Sequence, residues 1–448
     1  PNESRFCNLY YLIKEISMSK EENRKNFSKY VSQNILGMIG FSCYVLADSY
    51  FISIAKGADG LTALNLVMPL YSIIFSIGEM IGVGSAIRYA ISKIKKDADA
   101  DDYFWNALIW CILSSMLFVF AGIFFSADIM RVLGADEHIV AVGNNYTKIF
   151  MCFAPMFMCN YVTNAFVRND GAPGIAMSAT LFSSLFNIVF DYILMFPMNL
   201  GMEGAALATA LSPIIGMGIC SIHFFSKKSS VRLVVCKPSV RKLVAGCQLG
   251  VSAFVGEMSS AVITLAFNFV ILKLAGNVGV AAYGVVANIA IVTTAVFNGV
   301  AQGSQPLISS CFGRGDKDGC TQLKRMGYTT AFVLAAVMYS ILFIFAGQFV
   351  AVFNSEGSEM LRLYATEGVK LYFIGIFFAG INIVGGGAFS ATEDAFKAAV
   401  VSVARGFVLI LGAVFVMSAF FGMTGVWLAY AVAEGITTFI MLVMAMRV

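Results

Sequence analysis

Stretches of roughly 20 apolar residues recur along this chain from end to end, parted by short polar loops. Each is long enough to cross a hydrocarbon layer about 30 Å thick as a helix. In such a layer every backbone N–H and C=O must be satisfied internally, which for segments of this length leaves the α-helix. Of the 448 residues 59% are hydrophobic and only 12% are charged, about half the charge of an ordinary soluble domain. The expected fold is an all-α integral membrane protein embedded in the lipid bilayer. Twelve transmembrane helices are expected, at about 29–54, 61–92, 103–126, 139–167, 174–197, 203–226, 241–275, 279–312, 322–349, 360–391, 395–420 and 425–446.

Several function classes are disfavoured. The ten cysteines form no C-x-x-C pair, and His138 and His223 are the only histidines. A zinc centre, a disulfide framework or a histidine relay is therefore not expected. No nucleophile–histidine arrangement, H-E-x-x-H or phosphate loop is present. The chain is not expected to be an enzyme or to hold a cofactor.

Lys and Arg gather on alternate loops. One side collects Arg5, Lys14, Lys20, Arg24, Lys25, Lys29, Lys93, Lys95, Lys96, Arg168, the central loop with Lys227, Lys228, Arg232, Lys237, Arg241 and Lys242, then Arg314, Lys317, Lys324, Arg325, Lys397 and Arg447. The other side holds only Lys56, Arg131, Lys273 and Arg362. This asymmetry places both termini in the cytoplasm of a multi-pass plasma-membrane protein. The opening segment, beginning at Pro1, is charged and lacks a signal-peptide core, and reads as a trimmed end. The basic loops carry no aromatic interleaving, so nucleic-acid binding is not expected.

The two halves repeat. "GMEGAALATA" (201–210) aligns with "GMTGVWLAYA" (422–431), an offset of 221. "GVGSAI" (82–87) aligns with "AQGSQP" (301–306), and Gly60 falls on Gly279, at an offset of 219. Six spans per half give both halves the same orientation, hence two six-helix lobes related by a pseudo-two-fold along the membrane normal. The boundaries expected are a cytoplasmic segment 1–28, an N-terminal lobe 29–226, a linker 227–240 and a C-terminal lobe 241–448. Such duplicated bundles are the usual frame of an alternating-access transporter working as a monomer.

Four segments in order carry a family resemblance: "LADSYFISIAKGADGLTALNLVMP" (46–69), "RNDGAPGIAM" (168–177), "LGMEGAALATA" (200–210) and "GSQPLISSCFGRGDKD" (303–318). Together they resemble the MATE (multidrug and toxic compound extrusion) family, in its bacterial DinF- or MepA-like branch. The resemblance implies a V-shaped pair of lobes that exports small molecules, often organic cations or amphipathic drugs, in exchange for H⁺ or Na⁺.

Within the spans lie Asp48, Glu79, Asp191, Glu257 and Glu434. A charged Asp at the bilayer centre costs about 2.5–3.5 kcal/mol even on the lenient scale, so such residues face the interior or a water-filled cavity. Asn187 lies one helical turn before Asp191, and Thr180, Ser183 and Ser184 continue that polar stripe. Asp48, Asn187, Asp191 and Thr209 supply two carboxylates, an amide oxygen and a hydroxyl. Such a set suits one Na⁺ or one shared proton. The family resemblance implies that these four form the cation site of the N-terminal lobe. It also implies that Glu257 takes part in a substrate or second cation site, and Glu79 is expected to face the same cleft. The plainer alternative for each acid is a polar network that locks helices together. Asp48, Asn187 and Asp191 correspond in the second half to Phe267, Leu409 and Ala413, so the acidic set was not duplicated. Arg405 and Glu434 are expected to form an ion pair in the C-terminal lobe. A flippase for a lipid-linked or amphipathic metabolite is the alternative function; it would favour a cationic cleft, whereas the buried charges here are mostly acidic.

Overall fold

The computed structural model describes residues 20–232, 234–354 and 358–446. The expectations for the N-terminal segment 1–19 and for Arg447 lie outside the described residues. All regular structure among those residues is helical. In chain order the helices are α1 (Lys20–Ile94), α2 (Asp102–Val132), α3 (Glu137–Cys152), α4 (Ala154–Asn169), α5 (Pro173–Met195), α6 (Gly201–Phe224) and α7 (Val240–Gly313). There follow α8 (Lys317–Ile344), α9 (Ala346–Phe353), α10 (Glu359–Tyr372), α11 (Ile376–Ala391), α12 (Ala395–Val403) and α13 (Leu409–Met446).

Three of these double back on themselves. The helix α1 turns at Gly57, giving arms Lys20–Gly57 and Asp59–Ile94; α7 turns at Gly276 and α13 at Gly422. At Gly276 the backbone takes φ 61° and ψ −156°, a conformation essentially reserved for glycine. Three residues later Gly279 lets the arms pass: a Cβ there would lie 2.8 Å from Ile271 Cγ2. The same Gly-x-x-Gly pattern recurs as Gly57/Gly60, Gly422/Gly425 and, between α5 and α6, Gly201/Gly204, with positive φ at the first glycine each time. Counting both arms of α1, α7 and α13, and joining α3 to α4, α10 to α11 and α12 to the start of α13, gives twelve crossings. The α3–α4 span is bent by 46°, and Pro155 sits at its bend. By contrast α1, α6 and α7 run on through Pro69, Pro213 and Pro306. The proline-free first arm of α1 is helical through Gly37 and Gly40.

The apolar core is split between the halves. One buried cluster draws almost all of its members from 267–433, while the others near the first half draw theirs from 52–249. The halves meet where helices touch through glycine. A Cβ on Gly84 would lie 2.0 Å from Gly246 O, and one on Gly250 2.0 Å from Met80 O. Across the pseudo-two-fold, Gly303 and Gly299 lie against Val31 Cα (2.7 Å) and Ile35 Cα (2.6 Å) by the same measure. Polar contacts fasten the same end. Gln322 Nε2 donates to Lys20 O at 2.9 Å, Arg88 Nε donates to Ala245 O at 3.1 Å, and Glu393 pairs with Arg88 and with Lys95 (3.4 Å). This end also gathers Lys93 with Asp101 and Lys242 with Asp102, and we call it the basic end. The halves are thus closed upon one another there.

Candidate functional site

Three helices of the first half converge on the expected acids. The first arm of α1 brings Asp48, α5 brings Asn187 and Asp191, and α6 brings Thr209. Close approach rests on small residues. A Cβ on Gly40 would meet Leu181 Cδ2 at 2.5 Å, and one on Gly204 would meet the Leu194 carbonyl carbon at 2.8 Å. All four residues are buried: Asp48 7% exposed, Thr209 2%, and Asn187 and Asp191 fully enclosed.

Asn187 bridges the group. With its amide nitrogen toward Asp191 it donates to Oδ2 at 3.1 Å, and its oxygen accepts from Thr209 Oγ1 at 3.2 Å and from the Thr209 backbone N–H at 3.3 Å. The opposite amide orientation would set its oxygen against a carboxylate oxygen, so the bridging one is favoured. Asp48 and Asp191 lie within electrostatic reach of each other. Each also keeps one buried carboxylate oxygen, Oδ1, with no hydrogen-bond partner among the described residues. An orphaned buried acceptor is costly, and two carboxylates that carry one each, Asp191 being bridged by Asn187 to Thr209, offer oxygens of the kind a hard cation prefers. One proton shared by the two acids would relieve the same cost. The four expected residues are therefore brought together, and their chemistry fits Na⁺ or H⁺.

The corresponding place in the second half is filled by rings. Phe267, at the position of Asp48, stacks on Tyr283 with centroids 5.0 Å apart and meets Tyr372 edge-on. Tyr372 stacks on Tyr430, which stands where Thr209 stands, at 4.3 Å. Aromatic burial replaces ion chemistry there. A separate polar cluster follows the expected pairing: Arg405 Nη2 donates to Glu434 Oε1 at 2.7 Å. Asn382 donates to Glu434 Oε2 at 2.7 Å and accepts from Thr438. Arg405 sits on a π-helical turn, Ala404–Val408, a local widening of the helix.

A cavity lies within the first half, with Glu257 and Gln302 of the second half on its wall, and has about 1030 Å³ of atom-free space including its open part. Glu79 and Glu257 both line it, as do Tyr44, Ser183, Ser184 and Ser212. These last four stand one helical turn from the acid cluster on the same helices. Tyr44 precedes Asp48 by four residues, Ser183 precedes Asn187 by four, and Ser212 follows Thr209 by three. Tyr44 is within electrostatic reach of Asp48, Asp191 and Glu257 alike.

Two further residues of the cavity were not singled out from sequence. Arg168, expected among the loop cations, is instead buried at 4% exposure. It lies in the last turn of α4 and points inward to Gln302, whose Oε1 accepts from its Nη1 at 2.7 Å. Gln302 Nε2 in turn donates to Glu79 Oε1 at 3.3 Å. Tyr44 had a sequence signal, its i−4 relation to Asp48. Gln302 had none, since its partners come from distant helices.

The family profile MatE matches residues 34–193 and 253–416, more than half of the chain. The two segments start 219 residues apart, the spacing that relates Gly60 to Gly279. The multidrug export protein MepA of Staphylococcus aureus (strain MRSA252) is 27% identical over 414 residues, 90% of this chain and 89% of that protein. MepA of Staphylococcus saprophyticus is 26% identical over 409 residues, again 90% and 89%. Among solved structures, an outward-facing conformation of a multidrug resistance MATE family transporter of the MOP superfamily superposes with a TM-score of 0.89. It shares 20% identity and covers 96% of each chain. The chain belongs to the MatE family, whose members are membrane transporters and not enzymes.

Proposed function

We propose that this chain is a monomeric exporter of small amphipathic, often cationic, organic compounds, driven by exchange for H⁺ or Na⁺ at Asp48, Asn187, Asp191 and Thr209. The observation that carries the reading is the one-turn offset between two sites on three shared helices. The acids with orphaned oxygens occupy one turn, and the cavity wall occupies the next. A cation drawn to Asp48 and Asp191 tightens α1, α5 and α6 around itself, and the same helices carry Tyr44, Ser183 and Ser212 at the cargo. Ion binding and cargo binding thereby bias one arrangement of helices, which is what linkage between two sites requires. Glu79 and Glu257 supply the negative field that holds a cationic cargo group. The bare acids then favour return for the next load.

In this reading the basic end faces the cytoplasm, consistent with the excess of Lys and Arg there, and both termini lie on that side of the plasma membrane. The lobes 29–226 and 241–448 turn about the glycine seam. The halves meet at the basic end, which in this reading is the cytoplasmic side.

The test is efflux from proteoliposomes of purified protein, first under an imposed pH gradient and then under an imposed Na⁺ gradient. Efflux with one gradient names the ion. Efflux that ignores both, or that survives unchanged in Asp191→Asn, defeats the proposal.

A further inference from the structure

Among the described residues the cavity wall carries one buried cation, Arg168, beside its acids, and that arginine is poorly satisfied. Arg168 makes its hydrogen bonds to neutral amide oxygens: Gln302 Oε1 at 2.7 Å and Asn34 Oδ1 at 3.4 Å. No carboxylate stands within ion-pair distance of it among the described residues. Its Nε is buried without a partner. Removing a charge from water costs several kcal/mol unless a counter-charge is supplied in good geometry. Glu79 is near enough to act on Arg168 electrostatically, yet Gln302 stands between them, donating to the acid and accepting from the guanidinium. The two opposite charges are thus held apart on one cavity wall instead of neutralising each other. A planar guanidinium with a free N–H is the side chain best suited to grip a carboxylate with two parallel hydrogen bonds.

We propose that Arg168 is an anion subsite of this cavity, and that the preferred cargo is zwitterionic. Its carboxylate is received by Arg168 and its ammonium group by the field of Glu79 and Glu257. The inference rests on the exporter reading above and narrows its cargo class. The arginine and the acids of the cavity wall are then satisfied by one molecule, whereas a simple organic cation leaves Arg168 without a counter-charge and is repelled by it.

The test compares two probes on one skeleton: a fluorescent piperazinyl-quinolone carboxylic acid, which is zwitterionic, and its ethyl ester, which keeps only the ammonium group. Equilibrium binding to the purified full chain in detergent is read by fluorescence polarisation. Wild type should bind the acid at least about tenfold more tightly than the ester, the value of one charge-assisted contact. Arg168→Gln should lose that preference, weakening the acid while the ester binds no less tightly than before. Arg168→Lys, which keeps the charge but not the fork, should weaken the acid several-fold and spare the ester. It is read in place of the Gln variant if the latter fails to fold. Glu79→Gln should weaken both probes alike. Equal binding of acid and ester by wild type, or equal loss of both in the arginine variants, overturns the subsite and leaves the exporter reading standing. Binding of neither probe by wild type overturns the cavity as a cargo site, and the subsite with it.

Discussion

Placing a single methyl group on the seam between the halves should unlock the basic end. In Gly250→Ala the new Cβ would lie 2.0 Å from the carbonyl oxygen of Met80, 2.7 Å from its carbonyl carbon and 2.9 Å from its Cα. Ordinary contact begins near 3.4 Å, and all three atoms are backbone, so no rotamer change relieves the clash. The first arm of α7 must draw away from the second arm of α1 by more than an ångström. Overpacking of this kind costs about 1–3 kcal/mol. The cost falls only on the state in which these helices touch, so the balance between closed and open states should shift by about 5- to 140-fold. Fluorophores attached through a non-natural amino acid at positions 98 and 318 report the separation of the two halves at the basic end without disturbing native cysteines; both positions are exposed. The variant should show a larger mean separation and a reduced population of the short-distance state. A distance distribution identical to wild type would refute the claim that this glycine contact holds the halves closed. Gly256→Ala is the control, because a Cβ there meets nothing within 4 Å.

Asp191→Asn should remove at least nine-tenths of gradient-driven efflux while the thermal unfolding midpoint stays near that of wild type. The amide replaces an orphaned buried acceptor and can still meet Asn187. If the coupling ion is sodium, Na⁺ should raise the wild-type midpoint in a concentration-dependent way and leave that of the Asn variant unmoved; a rise in both would place the ion elsewhere. Glu434→Ala strands the guanidinium of Arg405, whose partner acid is 3% exposed. It should destabilise the second half by about 3–5 kcal/mol, read as a fall of several degrees in scanning fluorimetry, and an unchanged midpoint would contradict the pairing. Gly276→Ala forces a side chain into φ 61°, ψ −156° and should cost about 1–3 kcal/mol, seen as poor yield and a lowered midpoint. Normal yield would show that the corner tolerates a side chain.

Much of this arrangement is legible in the sequence because membrane constraints are severe. Spans of twenty apolar residues have one outcome, and acids inside them must turn inward, so Asp48 and Asp191 announce themselves. Asn187 follows from its four-residue spacing. The repeat also foretold that Phe267 would stand where Asp48 stands, though not that Tyr283, Tyr372 and Tyr430 would close around it. What stayed hidden depends on contacts between distant segments. Arg168 reads as one more loop cation because it sits at a helix end beside Asn169 and Asp170. The approach of α7 with Gln302, and of α1 with Asn34, gives its side chain a reason to turn inward. The glycine seam was equally silent, since Gly84 and Gly250 look like ordinary small residues until their backbone neighbours are known.

The ring-filled counterpart of the acid cluster bears on energetics at the level of the whole membrane. With rings in the sister position, the duplicated fold retains one acidic seat of this type among the described residues, and in the exchange proposed above a single monovalent ion taken up there would be traded for one cargo molecule. If that cargo is a monocation, equal charge moves both ways and the voltage across the bilayer does no work; only the ion's concentration difference drives export. If the cargo is a zwitterion, one net positive charge enters per turnover, and 100 mV adds about 2.3 kcal/mol. That sustains a cargo ratio near fifty-fold by voltage alone, at about 1.4 kcal/mol per factor of ten.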